Sequence, residues 1–130
     1  MRKSKFYNQF KNKKVLVTGH TGFKGSWLTS WLILLGAKVI GVSLKKGDNT
    51  KHFESLKLKK SIYDYRFDIC DQFKLNKIIK KHKPDFVFHL AAQSLVLKSY
   101  QKPLETWKTN VLGTLNLIES LKKLKKNCCA

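Results

Sequence analysis

The stretch VLVTGHTGFKGSWLTSWLILLGAKVIGVS, Val15–Ser43, sets an apolar run, a glycine-rich turn, an amphipathic segment and a second apolar run in series. Val15-Leu16-Val17, ending at Thr18-Gly19, has the composition of a buried strand. From Phe23 to Leu35 the apolar residues Trp27, Leu28, Trp31, Leu32 and Leu35 recur at steps of three and four, which predicts a helix. Gly36 stands where a left-handed glycine closes a helix. Lys38–Ser43 (KVIGVS) then reads as a second strand.

The pattern continues outward from there. His52–Leu58 is a short helix candidate, and Ile62–Ile69 is a third strand. Asp71 is placed to cap a helix carrying Phe73, Leu75, Ile78 and Ile79, with Pro84 beyond its end. Phe86–Leu90 (FVFHL) is a fourth strand. From Pro103 to about Lys123 the spacing predicts one long amphipathic helix, with Leu104, Trp107, Val111, Leu115, Ile118 and Leu121 as its buried stripe. Alternating strands and helices at this spacing predict an α/β fold with a doubly wound parallel sheet, and solid apolar strands imply cover on both faces. Asn127–Ala130 has the look of the first residues of a fifth strand. A sheet stopped there leaves a raw edge, so the sequence is expected to be a fragment, truncated before or within its fifth strand.

Composition narrows the function classes. With 130 residues, 42% hydrophobic and 12% aromatic, the chain can bury the core of one domain. Lys+Arg of 27 against Asp+Glu of 8 gives a net charge of +19, nearly all of it lysine, since only Arg2 and Arg66 are arginines. The lysines are spread over almost every segment and no aromatic–basic platform is present, which argues against a nucleic-acid-binding module. Three cysteines without C-x-x-C spacing argue against a disulfide framework or a zinc site. The longest apolar stretch, near Trp31–Leu35, falls short of a membrane span, and no signal-peptide pattern precedes the first strand. The expected location is cytoplasmic. Met1–Asn12 forms a basic lead-in (1–12) to a domain over 13–130.

The informative motif is GHTGFKG, Gly19–Gly25. Between a strand and a helix, such glycines permit a sharp turn and bring backbone N–H groups to a pyrophosphate at the helix N-terminus. The spacing is G-x-x-G-x-x-G. A P-loop is excluded, because five residues separate Gly19 from Gly25 and Lys24 precedes the last glycine. At the end of the second strand an acid would favour NAD and a base would accommodate a 2′-phosphate. The sequence offers Ser43, Leu44, Lys45 and Lys46, with no acid before Asp48. On chemistry alone this leans toward NADP or leaves the cofactor open.

With GHTGFKGSWL at Gly19–Leu28, Asp68-Ile69-Cys70-Asp71 after the third strand, and PDFVFHLAAQSLVLKSYQKPLETWKTNVLGTLNLIES at Pro84–Ser120, the chain resembles the extended short-chain dehydrogenase/reductases, and within them the CDP-glucose 4,6-dehydratases. The resemblance covers about Lys13 to the end. It implies a Rossmann-type fold, NAD as cofactor and a nucleotide sugar as substrate. It implies that Gly19, Thr21, Gly22, Phe23 and Lys24 cradle the pyrophosphate, with Ser43 at the ribose and Asp68 and Ile69 bordering the adenine. Leu90, Ala91, Ala92 and Gln93 would line the wall under the nicotinamide ribose. Asn110 would support the active-site water network, or, read as a polar residue in a buried helix, satisfy backbone. Ser94 and Ser99 could approach the sugar nucleotide. His20 and His89 are read as a loop and a sheet-core residue, with no catalytic part.

The reaction so implied oxidises C4 of the hexose by hydride transfer to NAD, removes water across C5–C6, and returns the hydride to C6. A Tyr-x-x-x-Lys pair would supply the base. The only match here, Tyr7–Lys11, precedes the first strand and is read as chance. The catalytic segment is therefore expected past Ala130, no catalytic residue is assigned, and the chain alone is expected to be inactive. A homodimer through the Pro103–Lys123 helix is also implied. Sister dehydratases and epimerases share the fold and the first step, so fold alone does not choose between them.

Overall fold

The structure, a computed structural model, describes residues 8–45 and 50–130. The first seven residues of the lead-in, including Tyr7, and Lys46 and Asp48 of the loop after the second strand lie outside them. Strands β1 (Lys14–Thr18), β2 (Lys38–Ser43), β3 (Tyr63–Arg66) and β4 (Phe86–His89) form one four-stranded sheet in the order β3-β2-β1-β4. Every pairing is parallel: Val15 lies opposite Val39 on one side and Phe86 on the other. Beyond β4, Cys129 makes a parallel bridge to Phe86, and the Val87 N–H donates to the Cys129 carbonyl at 2.8 Å. The start of a further strand expected at Asn127–Ala130 is thus docked in place.

Helices cover both faces, as the α/β doubly wound expectation requires. Helix α1 (Phe23–Leu34) lies on one side with Val15, Val17, Leu32, Leu35 and Val39, and Phe10 of the lead-in fills the same layer, 5.1 Å from the Phe86 ring. Helix α3 (Gln72–His82) and helix α6 (Gly113–Lys122) lie on the other, around Leu16, Ile40, Val42, Ile69, Leu75, Ile79, Val87 and Leu117. Alternate β1 residues therefore feed opposite cores, which is what fixes the strand between two helical layers. Burying one such Leu or Val is worth about 1.5–3 kcal/mol. Asp71 caps α3 by accepting from the Lys74 N–H at 3.1 Å, and Lys83, left-handed at φ 50°, ends it before Pro84. Among the described residues no helix is long and apolar enough to cross a membrane.

Several expectations need correction. The candidate helix at His52–Leu58 is helix α2 (Lys51–Ser55) followed by a 3-10 turn at Leu58–Ser61, and the third strand pairs only over Tyr63–Arg66. An unforeseen helix, α4 (Val96–Gln101), precedes helix α5 (Pro103–Trp107). The single long helix is divided: α5 passes through a π turn at Lys108–Leu112 into α6.

The buried stripe is also misplaced. Leu104, Trp107, Val111, Leu115 and Ile118 are exposed, Leu104 to 85%, and only Leu121 of the six packs on the core. The inward face of α6 is Gly113, Leu117 and Ser120. A Cβ at Gly113 would stand 2.6 Å from Ile69 Cγ2, so close approach to the segment after β3 selects a small residue there. Helix α1 repeats the device: Gly25, Ser26, Thr29 and Leu32 face inward, while Trp27 and Trp31 lie on the outer face about half exposed, at 55% and 51%.

Candidate functional site

Strand order reverses about β1, so the C-terminal ends of β1 and β4 form the switch point at which open parallel sheets bind ligands. The glycine loop sits there. Gly19 is left-handed at φ 73°, and its N–H donates to the Val42 carbonyl at 2.7 Å. A Cβ on Gly19 would come within 2.8 Å of the Leu90 carbonyl and the Ala91 nitrogen, so the loop is pressed against the end of β4. Gly25 is equally constrained, because its Cβ would collide with the Gly19 carbonyl oxygen.

Gly22 differs. It occupies the N-cap of α1 with extended geometry (φ −66°, ψ 170°), and its Cβ would meet nothing nearer than Gly19 O at 3.4 Å. No side chain caps α1 and its first turn holds no acid. The free N–H groups of that turn, with exposed Phe23 and Lys24 beside them, make the loop receptive to an anion.

On the β2–β3 side, Thr21 is buried and its N–H donates to Ser43 Oγ at 3.3 Å, which ties the loop to the end of β2. His20 is wholly buried: Nε2 donates to Asp64 Oδ1 at 2.8 Å, and the ring lies 2.5 Å from where a Gly41 Cβ would be. Burial lowers the His20 pKa, against the Asp64 hydrogen bond that raises it. Asp64 also receives Arg66 Nε at 2.7 Å, and the Arg66 guanidinium lies 5.3 Å from the Phe53 ring centre. Asp68 is exposed and closes a turn by accepting from the Cys70 N–H at 2.8 Å. The Ile69 side chain faces the core, so only its backbone remains for the rim.

The opposite wall is held by side chains. Thr114 Oγ1 donates to the Asn110 carbonyl at 2.7 Å, which uses its only proton. His89 Nε2, 2.9 Å away, must then be the donor to Thr114, leaving Nδ1 to accept from Thr18 Oγ1 at 2.7 Å. Thr18 Oγ1 in turn accepts from the N–H groups of Leu90 (3.1 Å) and Ala91 (3.2 Å). His89 is therefore a neutral imidazole in one tautomer, and burial lowers its pKa in the same sense. Asn110, within the π turn, grips Gln93 twice: Oδ1 accepts from its N–H at 2.8 Å and Nδ2 donates to its carbonyl at 3.1 Å. Gln93 Nε2 donates to Thr106 Oγ1 at 3.0 Å.

The structure thus brings Gly19, Thr21, Gly22 and Ser43 to one side of the cleft mouth and Leu90, Ala91, Gln93 and Asn110 to the other. Ala92 is exposed on the second wall. Asn110 makes the backbone contacts that the plainer reading of a polar helix residue required. Ser99 Oγ donates to the Val96 carbonyl of its own helix at 2.6 Å, and Ser94 is exposed just before it. Sequence reasoning missed Thr18, Thr114, Asp64 and Arg66. A threonine closing a strand and a D-x-R pair on alternate strand positions are too common to stand out, and the roles of Thr18, Thr114 and Asp64 depend on partners 25 to 73 residues away.

A model of the GDP-mannose 4,6 dehydratase family matches residues 16–130. The CDP-glucose 4,6-dehydratase of Salmonella typhimurium is 46% identical over 117 residues, covering 90% of this chain and 33% of that protein. A GDP-mannose 4,6-dehydratase of Vibrio cholerae is 33% identical, covering 86% and 32% respectively. Among solved structures, an epimerase from Methanothermobacter thermautotrophicus superposes with a TM-score of 0.81 at 31% identity, over 92% of this chain and 34% of that one. The UDP-glucose 4-epimerase of Thermus thermophilus, solved in complex with NAD, gives a TM-score of 0.74 at 31% identity, over 85% and 34%. The chain spans about a third of the length of these relatives.

Proposed function

Because the chain belongs to the GDP-mannose 4,6 dehydratase family, we infer that it is the cofactor-binding part of a sugar-nucleotide 4,6-dehydratase, a lyase acting on CDP-glucose. The observation that carries this reading is the uncapped N-terminus of α1 at Gly22, open toward the end of β4 across a loop closed tight at Gly19 and Gly25. Those residues fit a dinucleotide: a Cβ at Gly22 would meet protein only at the Gly19 carbonyl oxygen, at an ordinary 3.4 Å, so the start of α1 is not packed over there. Bound NAD would supply reversible hydride acceptance at C4 of the sugar.

This chain's own residues bind and position. The N–H groups at the start of α1 and the Lys24 ammonium meet the pyrophosphate, with Thr21 and Phe23 shaping the loop. Ser43 stands at the adenosine ribose, with Asp68 and the Ile69 backbone at the adenine. Leu90, Ala91, Ala92 and Gln93 form the wall under the nicotinamide ribose, kept in place by Thr18, His89 and Asn110. Ser94 and Ser99 lie toward the sugar nucleotide. In this reading the domain runs over 13–130 behind the lead-in 1–12, no catalytic residue is assigned to the chain, and by itself it turns nothing over. The exposed apolar row Leu104, Trp107, Val111, Leu115 and Ile118 supports a homodimer through α5 and α6, and a cytoplasmic location follows from a soluble nucleotide-sugar substrate.

The test has two arms on the full-length protein. NADH binding is followed by fluorescence, and formation of a 4-keto-6-deoxy product is compared for CDP-glucose, dTDP-glucose and GDP-mannose. Binding of NADH with turnover of CDP-glucose alone is expected. Turnover of another nucleotide sugar overturns the CDP assignment and keeps the dehydratase. Epimerised product in place of the keto sugar overturns the lyase reading, and absence of NADH binding overturns the site.

A further inference from the structure

Helix α4 has no core of its own. None of its residues is buried, and Val96, Leu97 and Tyr100 are exposed. So short a helix is not kept in shape by its backbone bonds alone, and α5, which follows it, buries no residue either. The start of α4 is tied down by hydrogen bonds centred on Gln93.

The Leu95 N–H, at the N-cap of α4, donates to Gln93 Oε1 at 2.7 Å. Gln93 Nε2 donates to the Leu95 carbonyl at 3.2 Å and to Thr106 Oγ1 at 3.0 Å. The amide orientation is fixed from both sides. A backbone N–H can only donate, and Thr106 spends its one hydroxyl proton on the Lys102 carbonyl at 3.1 Å. Lys102 joins the two helices: its N–H donates to the Lys98 carbonyl at 2.8 Å, and its carbonyl also accepts from the Thr106 N–H at 3.1 Å. Both amide protons of Gln93 are therefore committed, while Asn110 holds its backbone N–H and carbonyl.

We propose that Gln93 is a positioning residue: its side chain latches α4 to α5, with Thr106 as the catch, so that α4 presents a fixed face to the nucleotide sugar. The proposal rests on the sugar-nucleotide reading and divides one residue between two tasks. The backbone of Gln93 belongs to the cofactor wall, and its side chain serves the substrate side through α4, without touching a ligand.

The experiment places Thr106→Val in the full-length protein, which removes the acceptor for Gln93 Nε2 and alters neither wall of the cleft. KM for CDP-glucose should rise by roughly threefold to tenfold, the scale of one lost neutral hydrogen bond, with kcat and NADH affinity within about twofold. Thr106→Ser keeps the hydroxyl and should restore KM. Gln93→Glu keeps the acceptor for Leu95 and loses both donors. It should raise KM alone and add little when residue 106 is already valine, and it is read in the same way if Thr106→Val fails to fold. Amide exchange at Leu95 should quicken in Thr106→Val, a readout that needs no turnover. The proposal is overturned if Thr106→Val leaves KM of the active enzyme unchanged, if it weakens NADH as much as CDP-glucose, or if the two substitutions add in full. If the wild type turns over no nucleotide sugar, the dehydratase reading has failed and the substrate role of the latch falls with it. Exchange at Leu95 then judges the latch itself: faster exchange in Thr106→Val bears it out, and unchanged exchange overturns it.

Discussion

The two walls of the cleft are built by opposite means. The Gly19–Gly25 loop is tied by Thr21 to Ser43 and by His20 to Asp64, but what it needs above all is the absence of Cβ atoms: at Gly19 and Gly25 there is no space for one. The Leu90–Gln93 wall is held by side chains, through a one-directional chain from its own N–H groups to Thr18, His89, Thr114 and the Asn110 backbone, with Asn110 reaching back to Gln93. The first wall is intolerant of volume at Gly19 and Gly25. The second depends on which atoms carry protons.

The sharpest way to break this contrast is Gly25→Ala, which drives a methyl into the Gly19 carbonyl oxygen. A loss of about 3 kcal/mol or more in denaturant unfolding is expected; a neutral result would mean that α1 moves away at little cost. On the other wall Asn110→Ala strands the N–H and carbonyl of Gln93 and should cost about 1–3 kcal/mol. Amide exchange at Gln93 should quicken with it, and unchanged protection there would remove Asn110 as the clamp.

Gly22→Ala separates ligand binding from folding within one motif. Its Cβ meets protein only at an ordinary 3.4 Å, so stability should stay within about 0.5 kcal/mol of wild type. NADH affinity should fall by about tenfold, because the methyl fills the approach to the N–H groups of α1. Retained affinity would detach the loop from the pyrophosphate.

The smallest effect is in pH. Burial lowers the pKa of His20, His82 and His89, so each is more readily protonated unfolded than folded. Protons then favour unfolding: stability is fully present above the ordinary histidine value of about 6.5 and is lost as pH falls through the lowered folded values. His89→Gln, which keeps a donor toward Thr114, should flatten part of that slope. Its 15N signal in wild type should report a neutral ring protonated at Nε2, and an Nδ1–H tautomer would reverse the chain of donors.

Much of this was legible in the order of residues. VLVTG, KVIGVS and FVFHL marked strands, Asp71 its cap, Gly36 its helix end and the glycine loop its place between strand and helix. Gly19, Thr21, Gly22, Ser43, Leu90, Ala91, Gln93 and Asn110 of the expected site residues fall along the two walls, while Ile69 turns into the core and Ser99 bonds within its own helix; Thr18, His89 and Asp64, which hold those walls, act through partners distant in sequence. The error at Leu104, Trp107, Val111, Leu115 and Ile118 has a plain cause. Helices α1 and α6 carry apolar residues on more than one face, so periodicity shows a helix without showing which side is buried.

The sequence by itself determined the alternation of strands and helices, the parallel sheet and the position of the glycine loop, because these depend on local spacing and on backbone freedom at a few glycines. Tertiary structure alone decided which helix face turns inward, which tautomer His89 adopts and that Asp64 is committed to His20 and Arg66. Each of those is set by what stands opposite in space: the backbone of the glycine loop excludes a side chain at Gly25 and Ile69 crowds one at Gly113, and a single hydroxyl proton on Thr114 fixes the direction of every hydrogen bond linked to it.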